Sequence, residues 1–212
     1  MKQKIMIGLL LLGALLPGQA AIYYQGTPVT GGIQAGTLSQ TTIQDGNPAY
    51  VIVNPMDLSS AGLGAAISSL TVTLNVSGGM NNGLYAYLVG PNDTTVTLLN
   101  QPGVTPVTPF GNTGSGLNIT LQDGAAGIAA SSDLSSGTYA AAGSLAGLNG
   151  SNPNGTWTLY FSDTIAGGGN ATLNGWSLDI TAVPEPVSLA LVAFAGLFAA
   201  IQTARMVLKK GA

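Results

Sequence analysis

The sequence predicts an all-β domain, an antiparallel sandwich or barrel, set between two apolar terminal segments. Three observations predict it. Stretches of five to seven residues alternate apolar with polar side chains at period two, the pattern of a half-buried strand. Clusters of Gly, Asn, Asp and Pro separate these stretches. From residue 21 to 182 the chain is dominated by Gly, Thr, Ser, Asn and Val, with few strong helix formers other than Ala and Leu. Many short strands divided by turn signals close into a sandwich or barrel.

In chain order, Met1-Lys2-Gln3-Lys4 precedes a nearly unbroken apolar run from Ile5 to Leu16, followed by Pro17-Gly18-Gln19-Ala20. A basic start, an apolar core and a small-residue exit make residues 1–20 a secretory signal peptide. Gly18 and Ala20 fit the small positions three and one before the scissile bond, which places cleavage after Ala20. An uncleaved anchor helix is the alternative; the run is short of the about 20 residues that a span requires. Residues 22–50 read as looser strands and loops. Leu70-Thr71-Val72-Thr73-Leu74-Asn75-Val76 alternates throughout, with Leu70, Val72, Leu74 and Val76 on one face. Leu84 to Val89, Thr95 to Leu99, Leu117 to Leu121, Thr156 to Phe161 and Trp176 to Ile180 follow the same rule. The breakers are Gly78-Gly79, Asn82-Gly83, Gly90-Pro91-Asn92-Asp93, Asn149-Gly150, Asn154-Gly155 and Gly167 to Asn170. Ala125 to Ser136 reads as either a short helix or a loop. Trp157 and Trp176 alternate with polar neighbours and are expected to fill the interior.

After the last strand come Val183-Pro184-Glu185-Pro186 and an uncharged stretch from Val187 to Ala204, then Arg205, Lys209 and Lys210. As a helix, residues 187–204 would extend about 27 Å, the thickness of a bilayer core. The cations that follow would hold the end on the cytoplasmic side and leave the domain outside. Pro-Glu-Pro, apolar helix and basic tail, in that order, resemble the PEP-CTERM sorting signal of exopolysaccharide-producing Gram-negative bacteria. The resemblance covers residues 183–212 and implies recognition by exosortase, a membrane protease-transpeptidase that removes the helix near Pro184, Glu185 and Pro186. A plain single-span anchor would give the same topology.

A second resemblance lies in the domain. Gly155-Thr156-Trp157-Thr158-Leu159, then Asp163, then Leu173 and Gly175-Trp176-Ser177-Leu178 look like the close of the proprotein-convertase P-type domain. The resemblance runs over about residues 40–181 of the 21–182 ectodomain and implies a jelly-roll β-sandwich. In other proteins such a domain accompanies a protease; no protease domain fits in this chain.

Charge is confined in an unusual way. The five basic residues, Lys2, Lys4, Arg205, Lys209 and Lys210, all sit at the extreme ends, and residues 21–182 carry seven aspartates and no cation. Phosphate contacts rest on Lys and Arg, so nucleic-acid binding by the domain is excluded. Without Cys there is no disulfide, thiolate nucleophile or thiolate metal site. Without His the commonest general base and zinc ligand are missing. A nucleophilic serine would have neither His nor Lys in the domain to activate it.

What remains is oxygen chemistry. A pair of aspartates is the one hydrolytic layout this composition permits, that of a glycoside hydrolase, and no pair is marked out. Calcium takes carboxylate, amide and carbonyl oxygens. Asp45, Asn47, Asp93, Asp123 and Asp163 are the candidates, with ordinary turn chemistry as the competing account. No other cofactor is expected. Asn75, Asn92, Asn118, Asn149, Asn154 and Asn170 each precede x-Ser/Thr and are not read as eukaryotic glycosylation sites. Tyr23, Tyr24, Tyr85, Tyr87 and Tyr139 are candidate sugar contacts if exposed. The expectation is an exported, non-catalytic structural or adhesive protein, first anchored in the membrane by its C-terminal helix, then placed at the cell surface or in the biofilm matrix. Its partners would be exosortase and exopolysaccharide or other surface proteins. The alternatives are a carbohydrate- or calcium-binding module and, behind these, the hydrolase.

Overall fold

The computed structural model describes the backbone of residues 20–26, then 41–183 apart from 62, 64 and 129–133, and the helical residues 194–198 with 201. The signal residues 1–19, the side chains of Tyr23 and Tyr24, Asp133, Pro184, Glu185, Pro186, Arg205, Lys209 and Lys210 lie outside the described residues, as does most of 187–204. Among the described residues no helix is long and apolar enough to cross a membrane.

Among the described residues, ten strands form two sheets: β1 (Ala20–Gly26), β2 (Thr42–Ile43), β3 (Ile52–Asp57), β4 (Ala66–Gly78), β5 (Leu84–Val89), β6 (Thr95–Asn100), β7 (Leu117–Leu121), β8 (Ser136–Tyr139), β9 (Thr156–Asp163) and β10 (Ala171–Val183). The larger sheet runs β1-β10-β4-β7-β8, with β2 also paired to β10; the smaller runs β3-β9-β5-β6. The fold is therefore mostly β and sandwich-like, as the alternation predicted. All strand pairs are antiparallel except β7 with β8.

Period two decides which side chains fill the space between the sheets. Leu70, Val72, Leu74 and Val76 of β4 are buried, as are Leu84, Ala86 and Leu88 of β5 and Trp157, Leu159 and Phe161 of β9. Together with Ile119, Trp176, Leu178 and Ile180 they belong to one hydrophobic core. Both tryptophans are inside, but they are not equivalent. The Trp157 indole donates to the Pro153 carbonyl at 2.9 Å, whereas the Trp176 indole nitrogen has no partner.

Two departures from strict alternation, and one proline within a strand, have local causes. In β6 both Leu98 and Leu99 are buried, because the register with β5 shifts between Ala86 and Tyr87 and one extra residue is accommodated. In β10 a second shift falls between Leu173 and Gly175, leaving Asn174 as the extra residue opposite β4. Strand β3 contains Pro55, which signals against a central strand; β3 lies at the edge of its sheet, where a missing N–H is tolerated.

Candidate functional site

The five sequence-predicted cation ligands separate into two groups. Asn47, Asp93 and Asp123 stand apart and are engaged locally. The Asn47 amide donates to the Gln44 side-chain oxygen at 2.9 Å. Asp93, at φ 63°, closes the tight turn between β5 and β6, its amide donating to the Gly90 carbonyl at 3.0 Å. The Asp123 carboxylate accepts from the Leu145 and Ala146 amides at 3.0 and 2.5 Å and from the Ser144 hydroxyl at 3.3 Å. It thereby caps the 3-10 turn Leu145–Leu148, whose two leucines are buried.

Asp45 and Asp163 are brought to one place, the loop between β9 and β10. Asp45 accepts from the Gly167 and Gly168 amides at 2.9 and 3.0 Å, and its own amide donates to the Asn170 side chain at 3.0 Å. Asp163, the last residue of β9, accepts the Ile165 amide on Oδ1 at 3.0 Å, the Asx turn expected at a strand end. Its Oδ2 is buried and unpartnered in a residue only 1% exposed. Backbone packs close here: a Cβ on Gly46, at φ 61°, would lie 2.4 Å from Ala166, and one on Gly83 would lie 2.0 Å from Asp163 Oδ1. The two carboxyls respond in opposite directions. The Gly167 amide holds Asp45 below the usual carboxylate range; desolvation opposes it, and the Gly168 and Gly169 amides add to the lowering. Burial pushes Asp163 up, and the Asp45 charge adds to that despite the Ile165 and Gly46 amides. Among the described residues no three of His, Cys, Asp and Glu gather as a metal-binding group.

The outward faces of the two sheets differ in chemistry. On the larger sheet, Thr73, Asn75, Asn118, Asn174 and Ser177 line a shallow polar cleft beside the β10 irregularity at Gly175. The Asn174 amide donates to Asn75 at 3.0 Å within the cleft, and Thr73 bonds to neighbouring Thr120 at 3.1 Å. Asn154 is also structural: its side chain both donates to and accepts from the Leu63 backbone at 2.9 Å.

On the smaller sheet the outward positions of β5 and β9 carry half-buried tyrosines. Tyr87 sits opposite Tyr160 in the register, and their rings stack at 4.6 Å and 5°. Tyr85 joins at 6.1 Å and 57°. Parallel rings on adjacent strands stand face to face, forming a ridge across the sheet. Short side chains flank it: Val53 of β3 lies opposite Tyr160, and Thr97 of β6 lies opposite Tyr87. None of the three phenols hydrogen-bonds to another described residue, and the strand rows they occupy carry no charge. Burial, then the neighbouring phenols of Tyr160 and Tyr85, raises the Tyr87 hydroxyl further above its ordinary value, so it stays neutral. Tyr85 and Tyr87 were legible as candidates; Tyr160 was missed, although its spacing of three from Trp157 within an alternating strand places it on the outward face. Tyr139 stands elsewhere, its hydroxyl donating to the Ser136 carbonyl at 3.1 Å.

Fold and surface together define a two-sheet β-sandwich with one aromatic and one amide- and hydroxyl-bearing outer face. No family model and no curated protein matches the chain. Among solved structures it is similar to the serine protease of Aeromonas sobria in complex with the chaperone ORF2, at 13% identity and a TM-score of 0.46. It is also similar to the serine protease of Aeromonas sobria, at 15% identity and a TM-score of 0.46. Each match covers 79% of this chain and 28% of the other, so the chain spans under a third of the length of these neighbours.

Proposed function

We propose that this is an exported, non-enzymatic protein of the cell surface or exopolysaccharide matrix, made as a membrane-anchored precursor and sorted by exosortase. The observation that carries the proposal is the register of β1 against β10. Ala20, the residue before the expected signal cleavage, lies opposite Ala182, two residues before Pro184. The points from which the two apolar segments extend are therefore adjacent, an arrangement that suits a precursor held in one membrane by both ends. Cleavage after Ala20 would leave Ala21–Gly26 still paired to β10, so maturation would cost the sheet only one residue.

The P-type, jelly-roll reading is supported by strand order. With β1 and β8 set aside, the sheets read β2-β10-β4-β7 and β3-β9-β5-β6, so every step along the chain changes sheet except the β5–β6 hairpin, as in a double Greek key. The carboxylates of Asp45, Asp57, Asp123 and Asp163 accept hydrogen bonds in turns and loops, which favours a structural role over the glycoside-hydrolase alternative. Carbohydrate contact is the second reading, and the uncharged tyrosine ridge of Tyr85, Tyr87 and Tyr160 favours it. Neutral sugar rings pack their C–H faces against aromatic rings and bond their hydroxyls to phenols and threonines.

Protease shaving of intact cells, with immunodetection of the domain, tests the proposal. Removal of the domain from unbroken cells supports it, and full protection with release only on lysis refutes it. Retention on purified exopolysaccharide tests the second reading. Tyr87→Ala and Tyr160→Ala should each weaken retention about ten-fold, while Asn75→Ala on the opposite face leaves it unchanged.

A further inference from the structure

We infer that the junction of the 44–47 turn with the 163–170 loop is a calcium site, with Asp163 Oδ2 and the Asp45 carboxylate as its protein anchors. Three observations lead there. The first is the unpartnered Oδ2 of Asp163, a carboxylate oxygen with no hydrogen bond in a residue 99% removed from solvent. Buried polar atoms are normally satisfied, and an ionised oxygen left alone is among the costliest exceptions. The second is convergence. Asp45 grips the loop at Gly167 and Gly168, Asp163 grips it at Ile165, and Gly46 abuts Ala166 between them. Two carboxylates thus approach one short loop from two sides.

The third observation is that the domain cannot neutralise this pair itself. Residues 21–182 contain no Lys, Arg or His, so no side chain can stand beside two acids packed against one loop. Compensation therefore comes from solution, as a proton at low pH or as a bound cation above it. The side-chain donors at hand are hard oxygens: the two carboxylates and the Asn170 amide oxygen. They are set by irregular backbone rather than by an octahedron. That suits calcium, which accepts six to eight oxygens in flexible geometry and completes its shell with water, better than magnesium, which demands near-ideal octahedral geometry. The cation would tie the β9–β10 loop to the 44–47 turn, fastening the first described loop to the last.

The full chain, held in a non-ionic, sugar-free detergent and stripped with chelator, is titrated with calcium alone while thermal unfolding is followed. Magnesium and potassium at matched ionic strength are run beside it. Calcium at about 100 times its Kd should raise Tm by roughly 5–10 °C. Potassium should give no comparable rise. Asp163→Asn and Asp45→Asn should each abolish the calcium response, whereas Asp57→Asn, in a separate turn, keeps it. Should Asp163→Asn fail to fold, the Asp45→Asn variant and direct calorimetric titration of the wild type carry the test. No calcium-dependent shift, or an undiminished one in both variants, overturns the site; an equal response to magnesium overturns its assignment to calcium.

Discussion

Replacing Trp157 and Trp176 one at a time by Phe should produce very unequal losses of stability, although the chemistry removed is the same. Both indoles are essentially inaccessible, at 0% and 2% exposure, and both lie in one core. In each case Phe returns roughly 40 Å² less apolar burial, about 1 kcal/mol, with a comparable contribution from the space left behind. The difference lies in the indole N–H. Trp157 donates at 2.9 Å to the carbonyl of buried Pro153, and Trp157→Phe leaves that acceptor alone at a further cost of about 1–3 kcal/mol. Trp176 has no acceptor, so Trp176→Phe removes an unsatisfied donor and recovers a similar amount. The expected totals are about 3–5 kcal/mol for Trp157→Phe and near zero for Trp176→Phe. Urea unfolding of the full chain in non-ionic detergent measures both, and the remaining tryptophan reports on each variant. Unchanged m-values would locate the effect in the native state. Equal destabilisation of the two variants, or a larger loss at Trp176, refutes the reasoning.

Asp163→Asn should flatten the pH dependence of stability in chelator. The folded carboxyl titrates above its ordinary 3.8, so between the two values the native state binds more protons than the unfolded one, and wild-type stability falls as pH rises through that window. Urea midpoints measured from pH 4 to 7 check this, and a parallel wild-type and variant profile contradicts it. Asp45 and Asp57 act with the opposite sign. Their folded values are lowered, so the stability they contribute is present above 3.8 and is lost as pH falls through the folded value; Asp57→Asn should therefore shrink the acid-side loss. Asp123→Ala removes the cap of the Leu145–Leu148 turn and should cost about 1–2 kcal/mol in the same denaturation experiment. A double-mutant cycle with Tyr87→Leu and Tyr160→Leu should give a coupling of about 0.5–1.5 kcal/mol, against none if the rings do not stack.

Strands whose two faces meet different solvents were legible from the sequence. β5, β7 and β4 from Leu70 to Val76 alternate cleanly because one face meets the core and the other meets water, and burial there follows the pattern residue by residue. β3 was hidden by Pro55, whose cost disappears only because neighbours place the strand at an edge. β8, Ser136–Tyr139, has no buried face to leave a period in its sequence; it forms because β7 offers a free edge in parallel register. The site residues divide along the same line. Loop chemistry identified Asp45 and Asp163 separately, but they stand 118 positions apart in the chain, and no local pattern records that the fold closes that distance. Tyr160 was masked by its neighbour Trp157, whose size draws attention to the inward face of β9. The tyrosine ridge exists only through the register of β5 against β9, which neither strand encodes alone.

Intact mass analysis of the protein recovered from the outer surface of cells tests export and sorting together. The account predicts a chain that begins at Ala21 and ends near Pro184-Glu185-Pro186, without the apolar segment that follows. A chain recovered from the cytosol with Met1 and Ala212 both in place would contradict it.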